Sequence, residues 1–354
     1  MNNIARIKTA IAAHKFDAML IVSPINRLFA TGFQSSAGVL LVTANDAWFF
    51  TDSRYIEAAE NTIADATVLE STRETTHFDH VKTILNEQNI AAVGFEDASL
   101  TYSEYLEWRR KLKVSMVRAE RLLVDLRRVK SPEDLANMKK AQQIAEKSFL
   151  EILPLISTEI TEKDLATELL YRFLQNGADD KAFSTIVVSG AKSSMPHGVP
   201  ENIKIGKGFL TIDFGARLDG WCSDTTRTLC IGQPDDEMKH VYETVLRAQE
   251  AGISIAKAGV NAAAVDAAGR EVIENAGYGE NFSHGFGHAI GLEVHESPSA
   301  SPTSKGKLIE GVVISAEPGI YLPGRFGVRI EDLLYITKDG NENLTNLPKE
   351  LIVI

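Results

Sequence analysis

The sequence predicts two domains of different fold class, an α/β amino-terminal domain over residues 1–125 and an α+β carboxy-terminal domain over residues 126–354. Three observations carry this prediction. Before residue 125, short apolar runs alternate with helical patterns, which is typical of an α/β layer domain. A Ser-Pro helix start follows the charged stretch L-R-R-V-K at residues 126–130. Beyond it, helices and closely spaced strands indicate a curved, largely antiparallel sheet covered by helices.

The amino-terminal elements follow from the spacing of apolar residues. Ile4, Ile7 and Ile11 recur at helical spacing, whereas the run D-A-M-L-I-V is typical of a buried strand. The predicted elements are a helix over 3–15, a strand over 17–22, an irregular turn over 26–33 that closes at Gly32, hairpin strands over 38–43 and 47–51, a helix over 79–88 and a strand over 91–95. This domain is either a scaffold or a source of loops, from the same or a partner subunit, that cover an active site.

The carboxy-terminal domain opens on a strong helix start. Ser131 is a capping residue, Pro132 suits the first helical position, and Glu133 and Asp134 suit the positive end of the helix dipole. Helices are predicted from 131, over 161–177, over about 236–257 and over 264–275, with strands over 184–188, 208–214, 223–231, 312–317, 328–331 and 333–337.

Composition limits the classes of partner. The net charge of −11 argues against nucleic acid, because phosphate binding needs basic patches. No run approaches the roughly 18 uncharged apolar residues of a membrane span, and the first residues contain no signal-peptide pattern. The two cysteines, Cys222 and Cys230, favour a reduced pair, and Cys222 is interpreted as a small buried apolar residue. The expected compartment is therefore the cytoplasm.

Four carboxylates and one imidazole in the second half of the chain stand in apolar or tightly turned runs. They are Asp213 in T-I-D-F-G, Asp224 in C-S-D-T-T, His288 in H-G-F-G-H, Glu317 in S-A-E-P-G and Glu331 in V-R-I-E-D. Asp and Glu are seldom buried unless they are paired or bound to metal. One such acid alone is commonly a solvated strand end or a turn acceptor. Five such positions indicate a site for two divalent cations, which would balance four negative charges.

The four acids fall into two similar arrangements. Asp213 and Glu317 each end a predicted strand and precede a turn, and Asp224 and Glu331 each lie on the returning strand. Two such hairpins facing each other would present four carboxylates to one cavity. As a sequence repeat the similarity is weak, but this geometry accounts for the spacing.

These motifs resemble metallopeptidase family M24, whose members have the pita-bread fold and include Xaa-Pro dipeptidases, aminopeptidases P and methionine aminopeptidases. The residues before Val124 are similar to the creatinase/prolidase-like amino-terminal domain of the proline-specific members, which methionine aminopeptidases lack. Two departures from the family pattern are Trp221, where Tyr is more usual, and Ala289, where Gly often follows the ligand His. Neither removes a ligand.

The resemblance implies how the ligands divide between two ions. It implies that Asp224 and Glu331 bridge both ions, that Asp213 binds one ion, and that His288 and Glu317 bind the other. Oxygen-rich sites with one imidazole suit Mn²⁺, Co²⁺ or Fe²⁺, with Zn²⁺ as an alternative, and Mn²⁺ is the expected metal. Two-metal hydrolases share a water of lowered pKa between their ions, and this hydroxide would attack the scissile carbonyl. Glu317 is the candidate general base and proton shuttle.

The same resemblance implies roles for residues around the metals. His197 is expected to bind substrate and transition state, His295 to stabilise the oxyanion and the leaving amine, and His284 to line the substrate pocket. Arg329 either supports a ligand carboxylate or contacts substrate. Phe183, Trp221 and Tyr321 are aromatic candidates for the walls of a proline slot, although aromatic residues of this kind are commonly core.

The expected function is hydrolysis of Xaa-Pro bonds in small peptides with proline second, by a dipeptidase (prolidase) or, as the alternative, by an aminopeptidase P acting on longer peptides. Proline specificity comes from the resemblance alone. The metal-free amidinohydrolase branch of this fold, which hydrolyses creatine, and a non-enzymatic binding module both predict lost ligands, and all five are present. A homodimer is expected by analogy.

Overall fold

The computed structural model describes residues 3–354, which form two compact units that divide between Arg127 and Arg128. The fold class predicted from the sequence is confirmed. The first unit is an α/β layer domain and the second is an α+β domain of the pita-bread type.

The amino-terminal unit contains one mixed six-stranded sheet with helices on its connections, in the strand order β4-β3-β2-β1-β5-β6. The central strand β1 (Ala18–Ile21) pairs antiparallel with β2 (Val39–Thr43) and parallel with β5 (Ala92–Phe95). The remaining elements of this unit are α1 (Asn3–Ile11), α2 (Pro24–Thr31), β3 (Ala47–Thr51), α3 (Ile56–Thr62), β4 (Thr67–Glu70), α4 (His77–Glu87), α5 (Tyr102–Leu112), β6 (Ser115–Arg118) and α6 (Glu120–Arg128).

One expectation for this unit is wrong. The predicted irregular turn over 26–33 is the helix α2, which begins at Pro24 and ends before Gly32. Ser23 caps it, because its Oγ accepts a hydrogen bond from the Asn26 N–H at 3.2 Å. Gly32 closes it in the left-handed conformation, with φ 69°. The predicted hairpin over 38–51 is confirmed as β2 and β3, which pair antiparallel.

The carboxy-terminal unit carries four long helices. The predicted start at Ser131 is confirmed, since Ser131 and Asp134 form a capping box around Pro132. Thr161 caps the next helix, with its hydroxyl accepting a hydrogen bond from the Asp164 N–H. The helices are α7 (Pro132–Ile152), α8 (Glu162–Gln175), α9 (Asp236–Ile255) and α10 (Ala262–Asn275).

Every strand pair in this unit is antiparallel within the named strands. The sheets are β11-β10-β7, β12-β9-β8, β14-β13-β15-β18-β19 and β16-β17. The strands are β7 (Asp180–Lys181), β8 (Ile186–Ser189), β9 (Gly208–Phe214), β10 (Ala216–Leu218), β11 (Trp221–Cys222), β12 (Thr225–Ile231), β13 (Gly287–Ala289), β14 (Glu296–Ala300), β15 (Val313–Ala316), β16 (Gly319–Leu322), β17 (Phe326–Arg329), β18 (Asp332–Ile336) and β19 (Asn341–Asn343).

Apolar packing fixes the helices on these sheets. Phe149 of α7 stacks on Phe214 of β9, with ring centroids 5.0 Å apart. Phe286, just before β13, lies against Gly252 of α9 and Gly269 of α10, where an added Cβ would lie within 2.2 Å and 2.7 Å of its ring. Both cysteines are free and buried, as predicted. In the described part of the chain, no helix has the length and apolar character needed to cross a bilayer.

Candidate metal centre

Two antiparallel strand pairs bring the four predicted carboxylates together. Asp213 on β9 lies opposite Thr226 on β12, and Asp224 directly precedes β12. The second pair repeats this arrangement, since Ala316 lies opposite Asp332, with Glu317 after β15 and Glu331 before β18. A small extra hairpin occupies each connection, β10–β11 in the first and β16–β17 in the second. The two strand pairs are therefore similar in where their carboxylates lie, at or near the ends of antiparallel strands.

Two glycines allow the backbones at this site to approach closely. An added Cβ on Gly215 would lie 2.0 Å from the Ser223 carbonyl oxygen, and one on Gly287 would lie 2.0 Å from the Ser315 carbonyl oxygen. Gly215 follows the strand of Asp213, and Gly287 immediately precedes His288. Only glycine fits where two backbones are this close.

His288 turns one ring nitrogen toward the acids. Its Nε2 lies 3.2 Å from Glu317 Oε1 and 3.7 Å from Asp224 Oδ2. Its Nδ1 lies 3.2 Å from the Ala289 carbonyl oxygen, a contact of the kind that orients metal-binding imidazoles. Ser315 Oγ accepts the His288 N–H at 3.0 Å and donates to Glu317 Oε1 at 3.0 Å, which ties the two side chains together.

Arg329 supports the opposite side of the cluster. Its Nη2 lies 2.7 Å from Asp213 Oδ2, and its Nε donates to Thr226 Oγ1 at 3.0 Å. Thr226 in turn donates to Glu331 Oε2 at 2.7 Å. Of the two alternatives for Arg329, this geometry favours support of a ligand carboxylate. Thr226 and Ser315 were not singled out from the sequence, although each lies two residues from a candidate ligand and so shares its strand face.

The donor set fits divalent cations. Asp213 Oδ1 and Glu331 Oε1 are buried and have no hydrogen-bond partner among the described residues. Unpartnered buried carboxylate oxygens are costly, and a bound cation would remove that cost. One ligand atom from each of Asp224, His288 and Glu331 lies within 4.8 Å of the others. These three residues can therefore share a cation, and the unpartnered oxygen of Asp213 offers a further ligand.

Crowding of acids perturbs their protonation. Burial and the neighbouring Glu331 raise the pKa of Asp224 well above its ordinary value. Burial and the charge of Glu317 do the same to the pKa of Glu331, and burial raises the pKa of Asp213 despite its contact with Arg329. Glu317 differs, because although burial opposes its ionisation, the His288 contact lowers its pKa to about 2. Burial lowers the pKa of His288, but the hydrogen bond and charge of Glu317 outweigh this effect and raise it. Without metal, the neighbouring charges therefore favour the protonated forms of Asp224, Glu331 and His288.

Divalent metal is expected to raise the melting temperature more at about pH 8 than at about pH 5. Acids with raised pKa values in the folded state make the metal-free protein less stable as pH rises above their ordinary values, because they must ionise while buried. The same ionised carboxylates and a neutral His288 are what a cation binds, so metal binding releases protons. Thermal unfolding of chelator-treated protein, with and without Mn²⁺ across this range, measures the difference. Asp224→Asn should reduce it, whereas Asp339→Asn, at an exposed acid, should not. A metal-induced increase that is independent of pH would contradict the prediction.

A cavity of about 540 Å³ opens onto the cluster. All five predicted ligands, the three predicted histidines and Arg329 line it. The predicted site residues in its wall are Asp213, Asp224, His288, Glu317, Glu331, His197, His284, His295 and Arg329. Phe183 also lines it, as one of the three aromatic candidates, together with Ser299 and Ser301, which were not singled out from the sequence.

Two of the three aromatic candidates are core residues, which is the common environment of such side chains. Tyr321 and Trp221 are buried outside the cavity wall, so neither forms a side of the open space. The Tyr321 hydroxyl accepts a hydrogen bond from Arg329 Nη1 at 2.8 Å and contacts His284 Nε2 at 3.0 Å. Tyr321 thus links Arg329 to His284 and reaches the cavity only through them. Sequence spacing gave no indication of this contact, because it depends on a hairpin folding against a distant loop.

The histidines around the cavity differ in environment. His295 is largely exposed, and its ring lies edge-on to that of His288, with centroids 4.4 Å apart. Partial burial and the nearby His288 lower the pKa of His295, which favours a neutral imidazole. Burial likewise lowers the pKa of His284, whose Nδ1 lies 2.9 Å from the Gly285 carbonyl oxygen. His197 is exposed on the loop after Pro196.

Cys222 takes no part in this cluster. Its thiol is buried and lies 3.7 Å from the Leu292 carbonyl oxygen. Burial raises the pKa of Cys222 to about 12, so the thiolate needed for metal binding is disfavoured. This agrees with its interpretation as a small buried apolar residue.

Comparison with known proteins defines the class. The sequence profile of metallopeptidase family M24 matches residues 136–338, and that of the Creatinase/Prolidase N-terminal domain matches residues 3–129. The chain belongs to metallopeptidase family M24 and is a peptidase with the pita-bread fold.

Similar proteins cover nearly the whole chain. An Xaa-Pro dipeptidase of Pyrococcus horikoshii is 35% identical over 343 residues, covering 96% of this chain and 95% of the relative. The solved Xaa-Pro dipeptidase from Bacillus anthracis superposes with a TM-score of 0.95 at 37% identity, covering 99% of both chains. An X-Pro aminopeptidase from Thermotoga maritima superposes with a TM-score of 0.93 at 36% identity, covering 98% of this chain and 100% of the other. Both kinds of proline-directed peptidase are therefore similar to this chain.

Proposed function

We propose that this chain is an Xaa-Pro dipeptidase that uses two divalent cations to hydrolyse small peptides with proline in the second position. The observation that carries the proposal is the convergence of four carboxylates and His288 on one cavity, with two buried carboxylate oxygens left unpartnered. The similarity to the Xaa-Pro dipeptidases of P. horikoshii and B. anthracis supports the substrate class.

In this proposal the five residues divide between the two ions as the family resemblance implies. Asp224 and Glu331 would hold both ions, Asp213 would hold one of them, and His288 and Glu317 would hold the other. The support is that Asp224, His288 and Glu331 already present ligand atoms within 4.8 Å of one another. Mn²⁺ is the proposed metal, because the donors are oxygen-rich with a single imidazole.

Glu317 is the proposed general base and proton shuttle. When bound, the cations would supply the Lewis acidity that activates a water for attack on a peptide carbonyl at neutral pH. Both recorded contacts of the Glu317 carboxylate, from Ser315 and His288, fall on Oε1. No hydrogen bond from the described residues reaches Oε2, so this oxygen can take a proton and later deliver it to the proline nitrogen.

The histidines around the cavity are the proposed substrate contacts. His295, with its lowered pKa, can donate one N–H to the developing oxyanion while remaining neutral. His197 and His284 are positioned to contact the substrate on other sides of the cavity, and Phe183 offers an apolar surface for a proline ring. Arg329 and Tyr321 act by holding Asp213 and His284 in place.

An aminopeptidase P acting on longer peptides is the second candidate, favoured by the similarity to the X-Pro aminopeptidase of T. maritima. The creatine-hydrolysing and non-enzymatic alternatives are disfavoured because no ligand is missing. We also propose a homodimer in the cytoplasm, following the family resemblance, the reduced cysteines and the acidic net charge.

Metal-stripped protein is expected to cleave Ala-Pro only after Mn²⁺ is added, and to cleave Ala-Pro-Ala much more slowly. Release of free alanine from each peptide, measured side by side, tests this. Ala-Ala serves as the control for proline specificity, and Asp224→Asn as the control for dependence on the metal centre. Faster cleavage of Ala-Pro-Ala would instead indicate an aminopeptidase P.

Two further outcomes would count against the proposal at different levels. If the protein binds metal but cleaves neither proline peptide, the proposed proline specificity is wrong, whereas the proposed metal centre is retained. Failure to bind any divalent metal, measured by calorimetry, would overturn the metal centre itself.

A further inference from the structure

The segment that carries His295 is held by a buried ion pair from a distant part of the chain. Lys130 Nζ lies 2.8 Å from Glu296 Oε2, and the two side chains are 0% and 5% exposed. The two residues are 166 positions apart in the sequence. Lys130 precedes α7, and Glu296 immediately follows His295 at the start of β14.

Other contacts bind the same two segments together. The Lys130 N–H donates to the Gly311 carbonyl oxygen at 2.8 Å, which anchors the lysine backbone in the unit. Arg128 Nε donates to the Ser297 carbonyl oxygen at 3.1 Å, two residues after His295. On the other side of the pair, Glu296 Oε1 accepts the Glu293 N–H at 3.4 Å. The Glu296 carboxylate is therefore held between Lys130 and the backbone of its own loop.

The packing around this pair is tight. An added Cβ on Gly291 would lie 2.7 Å from Glu296 Oε1 and 2.8 Å from Lys130 Nζ. Gly291 is itself fixed, since its carbonyl oxygen accepts the Cys222 N–H at 2.9 Å. Contacts therefore hold both ends of the loop from Gly291 to Glu296, and His295 lies within this loop.

The His295 ring has few constraints of its own. It is exposed, no side-chain hydrogen bond to it is recorded within residues 3–354, and its described ring contact is with His288. Its location therefore depends on the backbone that carries it, and that backbone is fixed by Glu296. A reacting group misplaced by about 1 Å can cost on the order of 10²-fold in rate.

We infer that Lys130 is a positioning residue for His295, acting through its buried ion pair with Glu296. Lys130 does not line the cavity, so its effect on His295 passes through the loop from Gly291 to Glu296. The activity arm of the test rests on the proposed function, whereas the spectroscopic arm does not.

Lys130→Met is expected to lower kcat/KM for Ala-Pro by about 10- to 100-fold in the Mn²⁺-loaded protein. Metal stoichiometry should stay unchanged, because no proposed ligand is touched. In a His295→Ala background the same substitution should produce little further loss, since the group that Lys130 positions is then absent. Lys139→Met is the matched control, because Lys139 forms a 2.7 Å pair with Glu342 at the surface. Full activity of Lys130→Met, or a loss that multiplies with that of His295→Ala, would overturn the inference.

A second readout does not require activity. In histidine ring NMR spectra, the His295 signals, assigned by their loss in His295→Ala, should shift or broaden in Lys130→Met. Those of His14 and His240, in other parts of the chain, should not change. Unchanged His295 signals would overturn the inference even if the proposed substrate were wrong. If Lys130→Met does not fold, Glu296→Gln breaks the same charge pair with nearly the same shape, and it should give the same pattern.

Discussion

Glu317→Gln is expected to lower kcat for Ala-Pro by about 10²- to 10⁴-fold at saturating Mn²⁺. The amide keeps the shape of the side chain and removes the oxygen pair that can ligate and carry a proton. Because the amide does not ionise at any of these pH values, the loss should persist from about pH 6 to pH 8. Steady-state kinetics at several metal concentrations separates weaker metal binding from loss of the base.

Glu310→Gln is the matched control for this substitution, since Glu310 is exposed and lies outside the cavity wall. It should leave kcat and metal binding unchanged. If Glu317→Gln lowers kcat by less than about tenfold at saturating metal, the proposed role is contradicted and another group must act as the general base.

Arg227→Met is expected to destabilise the protein by about 3–5 kcal/mol. Arg227 is 2% exposed and pairs with Asp332 at 2.9 Å, the residue after Glu331. Its guanidinium also donates to the carbonyl oxygens of Leu347 at 2.9 Å, Pro348 at 3.0 Å and Glu331 at 2.6 Å, and the first two contacts hold the carboxy-terminal segment. The substitution leaves these acceptors buried without a donor. Urea unfolding followed by tryptophan fluorescence measures the change.

The control for Arg227 is an arginine whose ion pair is more exposed. Arg172 pairs with Glu168 at 2.7 Å, and the two side chains are 31% and 30% exposed. Arg172→Met should therefore cost only about 0–1 kcal/mol. Equal losses in the two variants would show that the burial of Arg227 is not what makes its contacts important.

Local signals in the sequence predicted most elements of the fold. Ser131 caps its helix as expected, and a helix begins at Thr161 as predicted, because helix starts depend on side chains and amides a few residues apart. The missed helix α2 carried the same signals, with Ser23 and Pro24 at its start and Gly32 at its end. The short apolar run between them was interpreted as a turn.

The site residues that lie at the ends of paired strands could be predicted from the sequence. The contacts between segments distant in the sequence could not. The gathering of Asp213, Asp224, Glu317 and Glu331 followed from two hairpins. The contacts that support the surrounding histidines, such as that of Tyr321 with His284 or of Lys130 with Glu296, join segments far apart in the chain. Spacing and propensity describe neighbours along the chain, so they contain no information about such contacts.

The close approaches at Gly215 and Gly287 have a consequence for engineering this enzyme. At both positions even one methyl group would lie 2.0 Å from a carbonyl oxygen of the neighbouring strand. The separation of the segment after Asp213 from the segment before Asp224, and of the His288 strand from β15, is therefore set by main-chain contact and not by replaceable side chains. A mutational library aimed at a new metal or substrate should keep these two glycines fixed. It should instead vary the lining positions, such as Phe183, Ser299 and Ser301, where diversity does not change the spacing of the ligands.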